Sequence, residues 1–97
     1  MRELHAVATI PASAGSEDAI RAALATLAEA TRQEEGCLGY DLYESASAPG
    51  TFVTIERWAD QAALEAHLAT SHVAAAFAAA DGHLSGEVAV HPLIPVN

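Results

Sequence analysis

The strand predicted at residues 51–58 (TFVTIERW) constrains the fold most, because it is apolar on both of its faces. Side chains alternate along a strand, so Phe52 and Trp58 share one face, whereas Val53 and Ile55 share the other. Helices that pack on a sheet can cover one of these faces. The second face would meet water unless another copy of the sheet covers it, and we therefore expect a homodimer.

The segments on either side predict three more strands and two helical regions. Turn residues at PASAGS, ASAPG and ADGH separate these elements. The helical segments show apolar residues at helical spacing, and each follows a residue that can cap a helix. The predicted strands lie at 4–10, 37–45 and 86–96; the first helix runs from Ser16 to a stop near Gly36, and the second from Asp60, with a shorter helix capped by Ser71.

The element order is therefore β-α-β-β-α-β, without repeats or linkers. Two helices and four strands in this order fit a ferredoxin-like α+β fold, an antiparallel sheet with its helices on one face. The chain has 97 residues, which is the size of one domain, so we expect a single domain over residues 1–97.

The charge of the chain excludes several classes of partner. The formal net charge is -9 and the sequence contains no lysine, so we expect no binding to nucleic acid or to an anionic membrane surface. No apolar run approaches the length of a membrane span, and the first residues lack the apolar core of a signal peptide. A cytoplasmic location is the expectation.

Two histidines stand out in the alanine-rich stretch AHLATSHVAAAF. His67 and His72 are five residues apart, which separates them by about 140° on an ideal helix. Two metal ligands on one helix need a shared face, so the spacing predicts no metal site, although a break in the helix at TS would change this geometry. Cys37 is the only cysteine and is read as a strand residue without a catalytic role.

The histidines are better candidates for proton transfer, because imidazole titrates near neutral pH. His67 lies beside the apolar stripe of its helix, where it could face a pocket, and we prefer it to His72 as the base; an ordinary surface histidine is the alternative. Trp58 could stack on an aromatic ligand, and Tyr40 could donate a hydrogen bond to it. Glu56 shares the face of Trp58 and must be paired, for example with an arginine, or lie at an edge.

Three segments of this chain resemble the antibiotic biosynthesis monooxygenase (ABM) family: EGCLGY, ERW and AHLATSH, in this order. The resemblance extends from Leu4 to about Val90. It implies a dimeric α+β barrel made of two ferredoxin-like protomers, each with a pocket between sheet and helices. It also implies oxidation of a quinol, an anthrone or a related aromatic by O₂, with no flavin, haem or metal cofactor.

The resemblance leaves other activities open. Haem-degrading relatives carry an axial histidine near the position of Phe77, which we instead expect to contact substrate. Relatives that isomerise phosphorylated sugars would need basic residues, which are scarce here. A non-catalytic dimer that binds a small molecule is a further alternative, since the helices are rich in alanine and poor in polar groups.

Overall fold

Four antiparallel strands form one sheet, and three helices accompany it. The computed structural model describes residues 3–97. This arrangement confirms the predicted ferredoxin-like α+β class. The elements are β1 (Leu4–Pro11), α1 (Glu17–Thr31), β2 (Cys37–Glu44), β3 (Thr51–Trp58), α2 (Gln61–Leu68), α3 (Ser71–Ala80) and β4 (Ala89–Leu93). The strand order in the sheet is β2-β3-β1-β4.

The two faces of β3 have different surroundings. Its inner side chains, Phe52 and Trp58 among them, are buried, and Phe52 packs in one core with Ile20 and Leu24 of α1. On the outer face Ile55 is 47% exposed. The helices thus cover one face of the sheet and leave apolar side chains on the other. Among residues 3–97 no helix is long and apolar enough to cross a membrane.

The first helix ends earlier than the sequence predicted. The expected stop was Gly36, but α1 ends at Thr31. Beyond Thr31 the backbone makes tighter bonds to the third preceding residue, such as Glu34 N–H to the Thr31 carbonyl at 3.0 Å, and so it leaves the helix. Gly36, with φ of 89°, instead closes the turn that leads into β2.

The side-chain hydroxyl of Thr70 forms hydrogen bonds with both α2 and α3 at the point where they meet. Thr70 Oγ1 donates to the carbonyl of His67 at 2.7 Å and accepts from the N–H of Val73 at 3.3 Å. The predicted cap, Ser71, is already the first residue of α3, because the extended backbone that a cap requires occurs at Thr70. The helical region after Asp60 is therefore two helices with a sharp joint.

Candidate active site

A cavity of about 70 Å³ lies between the inner face of the sheet and the helices α1 and α3. One end is polar and carries Tyr40, Glu56 and His67. At the rim, Leu68 and Phe77 are 45% and 50% exposed. The remaining lining is aliphatic and consists of Ala8, Ile10, Leu24, Leu27, Val73, Ala76, Ala80, Val88 and Val90.

His67 is held rigidly at the polar end of this cavity. It is only 3% exposed, and the centroid of its ring lies 4.8 Å from that of Trp58 and 5.7 Å from that of Tyr40. Its Nδ1 is 2.7 Å from Oε2 of Glu34, a residue of the turn that follows α1. Two aromatic neighbours and one carboxylate therefore fix the orientation of the imidazole.

The contact with Glu34 also decides which ring nitrogen of His67 can act as a base. An ionised carboxylate only accepts hydrogen bonds, so in the neutral ring Nδ1 carries the proton and Nε2 holds the lone pair. Within residues 3–97, Nε2 makes no hydrogen bond to the protein. Every fully buried side-chain nitrogen or oxygen of these residues has a hydrogen-bond partner, so Nε2 must be at least slightly exposed. Since His67 lines the cavity, Nε2 is the atom that a bound molecule can reach.

Glu34 is a site residue that the sequence did not predict. Its Oε2 also accepts from His72 Nε2 at 2.5 Å, so one carboxylate oxygen joins both histidines. The structure has the break at TS that would change the geometry: His67 belongs to α2 and His72 to α3, so the separation of about 140° on one continuous helix does not apply. Glu34 is 33 residues from His67 in the chain, and nothing in QEEG distinguishes it from Glu35.

Glu56 is paired, although not with an arginine. This buried carboxylate accepts from Thr54 Oγ1 at 2.6 Å and from Trp58 Nε1 at 3.0 Å, two neutral donors on the same face of β3. Arg57, the nearest arginine in sequence, points to the other face and binds Glu3. The alternating strand itself therefore supplies the hydrogen bonds that make the burial of Glu56 tolerable.

Trp58 differs from its predicted role. It is fully buried, at 0% exposed, and does not line the cavity. Its ring lies against His67, and its indole N–H is engaged by Glu56. In this arrangement Trp58 orients the candidate base and its neighbouring carboxylate, and it offers no surface for stacking on a ligand.

Tyr40 is buried at the polar end, and burial together with the negative charge of Glu56 raises the pKa of its hydroxyl well above the usual range. Tyr40 therefore stays protonated at neutral pH and can donate a hydrogen bond to a bound anion. Burial also raises the pKa of the Cys37 thiol, so this cysteine lacks the thiolate character of a nucleophile.

The last two predicted site residues lie at the periphery. His72 does not line the cavity, and its side chain is 27% exposed; it binds Glu34, and its ring centroid lies 6.1 Å from that of His67. Phe77 lies at the rim of the cavity, where it can contact a molecule that enters. The structure thus brings Tyr40, Glu56, His67 and Phe77 around one cavity, with Trp58 and His72 behind it.

The chain is similar to known proteins in both sequence and structure. A sequence model described as "Antibiotic biosynthesis monooxygenase" matches residues 4–79. Over 82 residues the chain is 38% identical to "Putative monooxygenase Rv0793" of Mycobacterium tuberculosis (strain ATCC 25618 / H37Rv), which covers 84% of this chain and 80% of the relative. The solved structure of Rv0793 superposes with a TM-score of 0.88 at 33% identity, covering 99% of this chain and 97% of that one. For PA3566 from Pseudomonas aeruginosa the TM-score is 0.89 at 33% identity, with 100% and 97% covered. The similarity therefore includes both the sheet and the helices that enclose the cavity.

Proposed function

The chain belongs to the antibiotic biosynthesis monooxygenase family, and from this premise we propose that it inserts one atom of O₂ into a small aromatic quinol without a cofactor. The names of the family and of its mycobacterial relative support the class of reaction. One observation carries the proposal: the free Nε2 of His67 lies at the polar end of an apolar cavity, with Glu34 bound to the opposite side of the ring.

The reaction begins when Nε2 of His67 takes the proton of a phenolic hydroxyl and leaves an electron-rich anion. One electron passes from this anion to O₂, and the resulting superoxide and substrate radical combine to form a C–O bond at a ring carbon. The imidazolium returns its proton to the peroxide. The O–O bond then breaks as the same carbon loses its hydrogen, so that a carbonyl forms and water leaves.

The surrounding residues stabilise the charges that arise during this sequence. Glu34 accepts from Nδ1 and therefore stabilises the imidazolium that forms when Nε2 takes the proton. Tyr40, whose raised pKa keeps its hydroxyl protonated, can donate to the oxyanion of the substrate. The aliphatic walls exclude water, which would otherwise weaken both interactions.

The size of the cavity favours a small substrate over a large one. Its volume of about 70 Å³ is below the roughly 150 Å³ of a cavity known to hold benzene. A ligand with one or two rings must therefore displace side chains at the rim, where Leu68 and Phe77 are half exposed. A three-ring anthrone would require a larger opening, so we favour a one- or two-ring quinol.

Oxygen uptake with 1,4-dihydroxynaphthalene in isotopically labelled O₂ tests this function. We expect uptake that depends on the protein, with one labelled oxygen in the quinone and the other in water. Anthrone, as the larger substrate, should react more slowly. Release of hydrogen peroxide with no label in the product would contradict oxygen insertion. Tight binding of the quinol without uptake would favour the alternative, a non-catalytic binding dimer.

We also propose that the outer face of the sheet joins two copies of the chain. Tyr43 and Ile55 are 53% and 47% exposed on this face, and the helices leave it uncovered. Ile55 lies on β3, which pairs with β2 on one side and β1 on the other and is one of the two central strands of the sheet. A face of this kind is apolar enough to associate with an identical face in a second chain.

Ile55→Glu is expected to convert the dimer into a monomer, because it places two like charges at the centre of the proposed interface. Light scattering after size exclusion should give twice the chain mass of 10.0 kDa for the unchanged protein and the chain mass itself for the variant. Ala25→Glu, on the exposed side of α1, is the matched control and should remain a dimer. A monomeric mass for the unchanged protein would refute the interface.

A further inference from the structure

Three potential metal ligands converge beside the cavity. Glu34 Oε2, His67 Nδ1 and His72 Nε2 all lie within 4.8 Å of one another. Two imidazoles and one carboxylate form a common ligand set for zinc and for related divalent ions, in which a fourth position stays open to water. We infer that Glu34, His67 and His72 bind a divalent ion of the zinc class.

The three residues come from separate elements that the fold holds together. Glu34 belongs to the turn after α1, His67 to α2, and His72 to the first turn of α3. His67 is fixed by its aromatic neighbours, whereas the side chains of Glu34 and His72 are 13% and 27% exposed. The site therefore combines one rigid ligand with two that can adjust and that are reachable from solvent.

The distances require only a small adjustment. Glu34 Oε2 is 2.7 Å from His67 Nδ1 and 2.5 Å from His72 Nε2, which are hydrogen-bond lengths. Ligands of a tetrahedral zinc ion, each about 2.0 to 2.1 Å from the metal, lie about 3.3 Å from one another. Each of these two pairs must therefore separate by less than about 1 Å, and the partly exposed Glu34 and His72 can provide that movement.

The charge around the three ligands also favours a cation. Within the described part of the chain, no arginine contacts Glu34: Arg21 and Arg57 bind other carboxylates, and Arg32 donates to the Tyr40 carbonyl. A second carboxylate, Glu56, lies at the same end of the cavity. A divalent ion at Glu34 would therefore meet negative charge without competition from a protein cation.

The ion would also change the chemistry of His67, a consequence that rests on the proposed function. Coordination through Nδ1 requires a lone pair on that atom, so the proton of the neutral ring moves to Nε2. The nitrogen that faces the cavity then becomes a hydrogen-bond donor and can no longer accept a proton. Zinc should therefore inhibit the oxygen uptake proposed above.

Metal binding can be measured without any substrate. Protein freed of metal with a chelator should bind one Zn²⁺ per chain in calorimetry, and Co²⁺ should give the visible absorption of a tetrahedral site. His72→Ala and Glu34→Gln should each weaken binding by about tenfold or more, since each removes one ligand. Both replacements are at partly exposed positions, so folding should be preserved and can be verified by circular dichroism.

The exposed pair His5 and Glu3, whose Nε2 and Oε2 atoms are 3.0 Å apart, provides a matched control. His5→Ala should leave the affinity for Zn²⁺ unchanged. The site is refuted if His72→Ala and Glu34→Gln bind as tightly as the unchanged protein, or if no ion binds. Zinc binding at this site without loss of quinol oxidation would instead overturn the assignment of Nε2 as the base, which separates the two proposals.

Discussion

His67→Gln is expected to reduce the rate of quinol-dependent oxygen uptake by about 100-fold or more, which is the usual contribution of a general base. Glutamine can still donate a hydrogen bond to Glu34, but it has no nitrogen that accepts a proton near neutral pH. The defect should therefore appear in kcat, with a much smaller change in KM. An oxygen electrode with 1,4-dihydroxynaphthalene measures both constants.

The control for this experiment is His83→Gln. His83 lies in the turn after α3, bound to Ser16 Oγ at 2.9 Å, and does not line the cavity. Its replacement should leave the rate within about twofold of the unchanged protein, because no proton transfer passes through it. If His67→Gln retained a similar rate, His67 would not be the base, and the proton would have to leave by another route.

Gly36→Ala is expected to destabilise the fold by about 2–4 kcal/mol, of which about 1–2 kcal/mol reflects the left-handed backbone. Gly36 has φ of 89°, and a Cβ atom there would lie 2.7 Å from the Cβ of Ala63 in α2. Neither atom belongs to a flexible side chain, so the turn and the helix must separate. Chemical denaturation should show the loss as a lower midpoint.

Gly15→Ala separates the two causes of this destabilisation. Gly15 has nearly the same φ, 87°, but nothing lies within 4 Å of its would-be Cβ. It should therefore lose only the part due to backbone strain. Equal losses in the two variants would show that the turn at Gly36 does not press against α2. Gly36→Ala should also reduce activity, because the same turn carries Glu34 to His67.

Local patterns were sufficient to predict most of the fold. The alternation in TFVTIERW identified a strand with two apolar faces, and the turn residues between segments gave the element order that the structure shows. The errors lie at the ends of elements. The last strand, predicted over residues 86–96, spans only Ala89–Leu93, and two helix boundaries also differ. The end of α1 at Thr31 and the cap at Thr70 were not predicted. The hydrogen bonds that end or begin a helix depend on backbone geometry, which many different sequences can adopt.

The site was harder to predict than the fold. His67 could be placed near a pocket because it lies beside the apolar stripe of its helix. Glu34 could not, because its contact with His67 joins residues 33 apart in sequence and depends on how closely the turn at Gly36 approaches α2. The residues next to Glu34 in the sequence do not indicate that it contacts a histidine. Tertiary packing, which no periodicity records, decides the contact.

The joint at Thr70 has a consequence for how relatives of this chain are compared. Each residue added to a helix turns the following side chain by about 100°. If the joint moves by one position in another family member, its second histidine will point away from the carboxylate even when the count of residues between the histidines is the same. Aligned histidines therefore indicate shared chemistry only where the hydroxyl that ends one helix and begins the next is aligned as well.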